Sequence, residues 1–544
     1  MKKSLKMFRA AFAALLIASF AAVFACPAAA EESRPSGKPV SNEAEFLAME
    51  RGGEYYLAND ITLTKSYTSI FTGTLNGNGK TITLKTVTAF SEFNGTVRDL
   101  TFEGAVTTKM HTGSLTAYTG GMTAYNVVNR ASITSSAAVS VGGIVGRTRP
   151  NARAVFVGCR NYGNLKITAK SGDAQLGGLI GSADSLEAYD CLNYGSLSGA
   201  SNGANVGGIC GYSAFTAGEN DVFVFRCSNY GEISSGYNAG GLLSRAGVAS
   251  NAAPRLFTFI QCENQGAVTG CKYVGGIAGY GYGSDSQRFR LFRCLNTGTV
   301  TGGSSDGGFV SHFFAYCNSA YGEIQGCVGI GELKQGSTGT AYTCLFGVSS
   351  ARGHVSIGIR GNFILEKSCK WLTFALDGTS NGASRVPIER GEEYGALEFV
   401  KEEDVATGAL TMYLNRKTGF NYFYQDLENG GLPTVRPEAG YVVYDLSAEE
   451  DKYINGTEPR LPLPEVLTPA DPYAPAEEPE PEVTLPEDTG AADESSEADL
   501  TSAPETAEET ASAPAGGCAS SLPCAVMAVI AFASWAALRK SRNE

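Results

Sequence analysis

The chain is poor in histidine, with only His111, His312 and His354 among 544 residues, and none of the three is followed by glutamate. A zinc peptidase holds metal and general base on one helix through H-E-x-x-H, so that chemistry is not expected. No Cys-x-x-Cys occurs, which leaves a zinc knuckle unsupported. A serine nucleophile elbow, Gly-x-Ser-x-Gly, is not expected either, and His312, beside Phe313 and Phe314, reads as packed or surface rather than catalytic. Carboxylates are scattered: Asp99, Asp173, Asp190, Asp221 and Asp306 stand singly and form no recurring pair. Glycoside hydrolysis and polysaccharide cleavage need paired carboxylates or a Ca²⁺ held by several of them. The sequence therefore assigns no catalytic residue, no metal and no cofactor. Long runs with a 3.6-residue period are missing too, which points to short strands and turns.

Charge is in short supply over most of the chain. Ser447 to Gly517 carries 19 acidic residues against Lys452 and Arg460, a net of −17 where the whole chain is −13. The rest is close to neutral, so nothing argues for nucleic acid. The acidic segment is rich in Pro, Glu, Ala, Thr and Ser and cannot bury enough apolar surface to offset its chain entropy, so a disordered, extended stalk is expected.

What the chain does have is a repeat. Cys159, Cys191, Cys227, Cys262, Cys294 and Cys327 open nearly identical segments (CRNYGNL, CLNYGSL, CSNYGEI, CENQGAV, CLNTGTV, CVGIGEL) spaced by 32, 36, 35, 32 and 33 residues. A second signature precedes them, as in Val141-Gly142-Gly143-Ile144-Val145-Gly146 and Leu176-Gly177-Gly178-Leu179-Ile180-Gly181. A fixed period of this length marks a repeat architecture, and three short strands per repeat make one coil of a parallel β-solenoid. Equivalent residues of successive coils then lie about 4.8 Å apart.

Each recurring position gets its physical meaning from that stacking. Asn129, Asn161, Asn193, Asn229, Asn264 and Asn296 are expected to form an amide ladder, with a glycan or metal site as the alternative. The glycine two residues on, as in Gly163 and Gly195, is expected to supply the backbone freedom of the corner. The aligned cysteines behave like small buried apolar residues, with Val127 at the same place one period earlier, so stacked free thiols are expected ahead of disulfides or a metal. Tyr162, Tyr194 and Tyr230 lie between ladder Asn and corner Gly; they serve either as an exposed ligand platform or as a stack that stiffens the corner. Arg147, Arg149 and Arg153, in a loop of variable length, are candidates for an acidic glycan.

The alternation of GG-I/L-x-G with C-x-N-x-G-x-V/I/L resembles the GLUG-type repeat of bacterial β-helical surface proteins and of the non-catalytic parts of some immunoglobulin A peptidases. Gly53 to Ile61 and Phe71 to Ile82 look like the first coils of such solenoids, and Val405 to Asn415, with Tyr424-Gln425 and Leu432-Pro433-Thr434, is similar to a module that follows them. The resemblance covers about residues 40–445 and implies an all-β, right-handed parallel β-helix of about nine or ten coils.

The ends speak of export. Residues 1–30 have a basic start, an apolar stretch from Ala10 to Phe24 and a small-residue cleavage site at Ala30, while Cys26 offers a lipoprotein alternative. Leu522 to Leu538 is a 17-residue run without charge before Arg539, Lys540 and Arg542, short for a transmembrane helix but oriented by its basic tail. With Gly516-Gly517-Cys518 it also resembles a three-part sorting signal in which Cys518 is processed; Leu485 to Gly490 is discounted as a sortase signal because it has an extra residue and lies far from the apolar run. The expected organisation is a signal peptide (1–30), an N-terminal cap (31–52), the β-helix (53–360), a small mixed module (361–446), the stalk (447–517) and a membrane anchor (518–544). The expected role is adhesin-like binding or display of an extracellular glycan or a host or matrix protein at the cell surface, without catalysis. A carbohydrate-active β-helix enzyme and a structural spacer are the alternatives.

Overall fold

A computed structural model describes residues 35–436, apart from 216–220, 249–254, 283–286, 303–307, 318–319, 336–340, 344, 350–354, 369–373, 378–383, 387–396 and 419–421. The signal peptide, stalk and anchor, with Ala30 and Cys518, lie outside the described residues, as does His354. No helix among the described residues is long and apolar enough to cross a membrane.

The described chain is an all-β parallel solenoid with few helices. One coil runs through five short strands rather than three: Ser140–Gly142, Val145–Thr148, Arg153–Val157, Arg160–Asn161 and Leu165–Ile167. We call the faces they build the Gly face, the row face, the long face, the Asn corner and the hydroxyl face. Each strand pairs in parallel register with its copy one coil on, as in Val141 with Leu176 and Asn161 with Asn193. The row and long faces have 12 strands each, and the Gly face has 7, so about six full turns carry the complete five-strand coil. The expected nine or ten coils falls between these counts, because the first coils, with strands such as Glu54–Leu57 and Thr74–Asn76, are shorter and lack the Gly strand.

The N-terminal opening is covered by the helix Glu43–Leu47, whose Asn42 side chain accepts from the Glu45 amide and whose Phe46 is fully buried 5.0 Å from the Phe90 ring. The long face begins before it, at Lys38–Val40, and the ladder of the Asn corner continues past it to Leu397–Val400.

The corner before each cysteine is made by a residue in the left-handed region: Gly158 at φ 64°, Asp190 at 54°, Arg226 at 48°, Gln261 at 50°, Arg293 at 52° and Gly326 at 62°. This corrects the corner role expected of Gly163 and its copies, which are not in that region. Those glycines are needed for closeness: a Cβ on Gly163 would lie 2.0 Å from the Ala131 carbonyl oxygen and 2.6 Å from Asn129 Nδ2. The Gly-Gly pair obeys the same rule, since a Cβ on Gly142 would lie 2.0 Å from the Val145 oxygen, and one on Gly143 would lie 2.1 Å from the Gly178 oxygen and 2.8 Å from Asn161 Oδ1.

Candidate ligand-binding faces

The Asn corner is an interior hydrogen-bond chain. Asn129 Nδ2 donates to Asn161 Oδ1 at 2.7 Å, and the same bond repeats from Asn161 to Asn193 (2.7 Å), Asn193 to Asn229 (2.7 Å), Asn229 to Asn264 (2.8 Å) and Asn264 to Asn296 (2.8 Å). Each amide also donates to the carbonyl two residues on, as Asn193 does to Gly195 at 3.0 Å. All six are fully buried, so the row offers no surface to a glycan.

The chain of amides ends on an exchange of residues. The next ladder position is Gly329, and the next position of the second Gly-face glycine is His312. The imidazole fills the place the missing amide leaves: a Cβ on Gly329 would lie 2.6 Å from His312 Cγ. Asn296 Nδ2 meets His312 Nδ1 at 3.1 Å, and His312 Nε2 meets Ser368 Oγ at 3.1 Å. Complete burial pushes the pKa of His312 down to about 3, so the ring is neutral and its role is structural.

The six aligned cysteines, with Cys210, are free thiols in the core, and no disulfide joins them. Burial pushes the thiols of Cys191, Cys227 and Cys294 well up, and that of Cys210 to about 12. A thiol reagent at neutral pH will therefore label Cys271, which is half-buried, and will reach Cys191 and its ladder partners only after unfolding in guanidinium. Labelling of Cys191 in the folded protein would contradict the assignment.

Tyr162, Tyr194 and Tyr230 form one column. Tyr162 and Tyr194 stack at 4.9 Å and 1°, Tyr194 and Tyr230 at 4.8 Å and 9°, and the Arg130 guanidinium covers the outer Tyr162 face at 4.6 Å. Tyr230 donates its hydroxyl to Glu263 Oε1 at 2.7 Å. The ring faces that a sugar would need are spent on one another, and what Tyr162 (38% exposed) and Tyr194 (42%) present to solvent are edges and hydroxyls.

The three arginines do not converge. Arg153 starts a long-face strand and pairs with Glu187. Arg149 pairs with Glu92 at 2.6 Å while its guanidinium lies 4.0 Å over the Tyr118 ring. Arg147 stands on the row face beside Tyr118 in register. Burial, then the charges of Arg147 and Arg149, hold His111 below its usual range, and His111 Nδ1 accepts the Ser140 amide at 2.9 Å.

Sequence inspection missed the row those residues belong to. Equivalent positions of the row face align as Tyr118, Arg147, Ser182, Tyr212, Arg245, Tyr280 and Tyr316, one per coil; Ser182 and Tyr316 are buried and the other five half-buried. Arg245 lies 4.8 Å from the Tyr212 ring and 5.8 Å from that of Tyr280, and Tyr273 on the Gly face stacks at 4.6 Å on Tyr280. The signal was present, since this is the residue after the third glycine of the GG-I-x-G motif, in Gly146-Arg147, Gly181-Ser182, Gly211-Tyr212 and Gly279-Tyr280. The long face instead carries a shallow open groove of about 690 Å³, whose lining includes Glu54, Thr74, Thr96, Thr123 and Arg153.

The chain is a parallel β-solenoid. No family model matches it, and no curated protein does. One solved structure is similar: a Bacteroides ovatus protein provisionally designated an immunoglobulin A1 protease, at 17% identity and a TM-score of 0.28, covering 58% of this chain and 84% of that one. A likeness at that score carries no argument about activity.

Two further observations bear on catalysis. Among the described residues no three His, Cys, Asp or Glu side chains group where they could hold a metal ion. The expectation that Gly-x-Ser-x-Gly is absent needs correction: Gly199-Ala200-Ser201-Asn202-Gly203, Gly303-Ser304-Ser305-Asp306-Gly307 and Gly378-Thr379-Ser380-Asn381-Gly382 have that spacing. The last two lie outside the described residues; in the first, Ser201 is fully buried, donates to the Gly172 carbonyl and is followed by the strand Asn205–Gly207 where a nucleophile elbow needs a helix.

Proposed function

We propose that this is an exported, membrane-tethered surface protein that captures or displays a ligand and does not transform it. The ligand class is an extracellular glycan or a host or matrix protein. The observation that carries this reading is the row-face series of tyrosines interleaved with Arg147 and Arg245, repeating at strand spacing along the coil axis. The Tyr118, Tyr212 and Tyr280 rings are covered by Arg149, Arg245 and Tyr273, so what an extended partner lying along the axis would meet is their polar tips and the forked donors of Arg147 and Arg245, suited to carboxylate or sulfate. Residues 1–30 would direct export, 447–517 would act as stalk and 518–544 as anchor. A β-helix carbohydrate enzyme would need a second carboxylate facing its first, and Glu54 is the one carboxylate lining the long-face groove.

The test is capture of residues 31–446 on a glycan and matrix-protein array. The combined Arg147→Ser, Tyr212→Ser and Arg245→Ser variant is expected to lose capture, while Tyr162→Ser with Tyr194→Ser retains it. Loss through the Tyr162 and Tyr194 pair alone would move the site to the Asn corner. Undiminished capture by both variants would refute the row as the site.

A further inference from the structure

We propose that residues 422–436 are the mechanical clasp of this protein, the point at which tension from its C-terminal side enters the solenoid. After the helix Ala409–Thr418 the chain does not leave from the last coil. It turns back and runs along the flank of the Asn corner toward earlier coils. The Tyr422 ring lies 3.6 Å from the Arg293 guanidinium, Thr434 Oγ1 and the Val435 amide donate to Glu263 Oε2 at 2.6 and 3.0 Å, and Arg436 Nε donates to Ser228 Oγ at 2.9 Å. Arg436 Nη2 reaches the Cys191 carbonyl at 3.5 Å. Residue by residue the segment thus passes the coils of Cys294, Cys262, Cys227 and Cys191, in reverse order. The described chain ends at Arg436 against the coil of Cys191, several coils before Leu397–Val400 at the end of the ladder.

The contact is built to hold. Glu263 is fully buried and accepts from Tyr230, Thr434 and Val435. Arg436 is 8% exposed, with Asp190 at 3.8 Å, and Asp190 is itself held by Arg226 at 2.7 Å. The Arg436 charge acts on both Glu263 and Asp190, so removing it leaves Glu263 in a dry place with only hydroxyl and amide donors. Around them Phe423 and Val435 share an apolar cluster with Leu295, Val328 and Phe363. Tension applied beyond Arg436 therefore meets this cluster first. The coils between Glu263 and Val400 stay outside the force path until it opens. This property belongs to the chain's own course and holds whichever ligand is captured.

Single-molecule pulling at constant force tests it, with one handle at residue 35 and the second placed either at residue 446 or in the exposed turn at Asn429, ahead of the Thr434 to Arg436 contacts. The expected result is a lifetime about tenfold longer or more for the handle at 446, because only that path loads a buried charge cluster. Arg436→Ala and the isosteric Glu263→Gln should remove the difference while leaving the Asn429 lifetime unchanged. Equal lifetimes for the two attachments in the unaltered protein, or variants that shorten both lifetimes equally, would overturn the proposal.

Discussion

Replacing His312 by glycine will destabilise the C-terminal coils, replacing Gly329 by asparagine will do the same, and combining the two will recover most of the loss. The first change leaves a cavity of imidazole size and takes one acceptor from Asn296, which keeps its bond to Gly298 at 3.1 Å; removal of a large buried side chain costs about 2–5 kcal/mol. The second puts a side chain into space already filled, with a Cβ 2.6 Å from His312 Cγ and 2.7 Å from Ile364 Cδ1, and overpacking costs about 1–3 kcal/mol. The double change restores the Asn and Gly arrangement of the five earlier coils, so the coupling in a double-mutant cycle should reach about 2 kcal/mol or more in favour of the pair. Urea midpoints of the four proteins measure it, and additive losses would contradict the exchange.

The same pair makes a statement about pH. His312 titrates at about 3 when folded against 6.5 ordinarily, so the unfolded chain binds its proton more readily. Its contribution is fully present above about 6.5 and is lost as pH falls toward 3. The double variant should therefore show a flatter stability profile over that window than the unaltered protein.

Gly208→Ala will prevent the central coils from forming, although it adds one methyl group. Its Cβ would lie 2.0 Å from the Gly241 carbonyl oxygen and 2.8 Å from Asn229 Cβ, and the obstruction is backbone of the adjacent coil rather than a flexible tip. Relief requires parting two coils and with them the Asn193 to Asn229 to Asn264 chain, so the cost should exceed about 4 kcal/mol. Gly52→Ala is the control, because its Cβ would meet nothing closer than Thr72 Oγ1 at 3.7 Å. Circular dichroism and urea midpoints should separate the two variants clearly; equal midpoints would show that the close approach is not required.

The solenoid was legible because its most repeated residues sit where neighbouring coils touch. Asn161, Asn193 and Asn229 bond to one another, and Gly163, Gly195 and Gly231 admit the coil beside them, so the chemistry of contact forces the same letter each turn. Five strands per coil were not legible, since strands of two or three residues such as Arg160–Asn161 are too short to show a period. The left-handed corner was hidden as well: Arg226, Gln261 and Arg293 adopt it with none of the preference of Gly or Asn, so residue type does not mark it. The row face varies in letter from coil to coil, and only register collects Tyr118, Arg147, Tyr212 and Arg245 into one line. The clasp joins residues 171 and 208 apart in the chain, as in Thr434 with Glu263 and Arg436 with Ser228, and no local pattern announces such a pair.

The claim that this solenoid holds a ligand without altering it meets its most direct test when residues 31–446 are incubated with whatever they capture and the ligand is then recovered. Saturable binding with intact ligand, and no unsaturated or reducing sugar ends or new peptide termini released over many hours, is the predicted result. Product accumulating beyond one equivalent per protein molecule would contradict it and would direct attention to the groove beside Glu54 and Arg153.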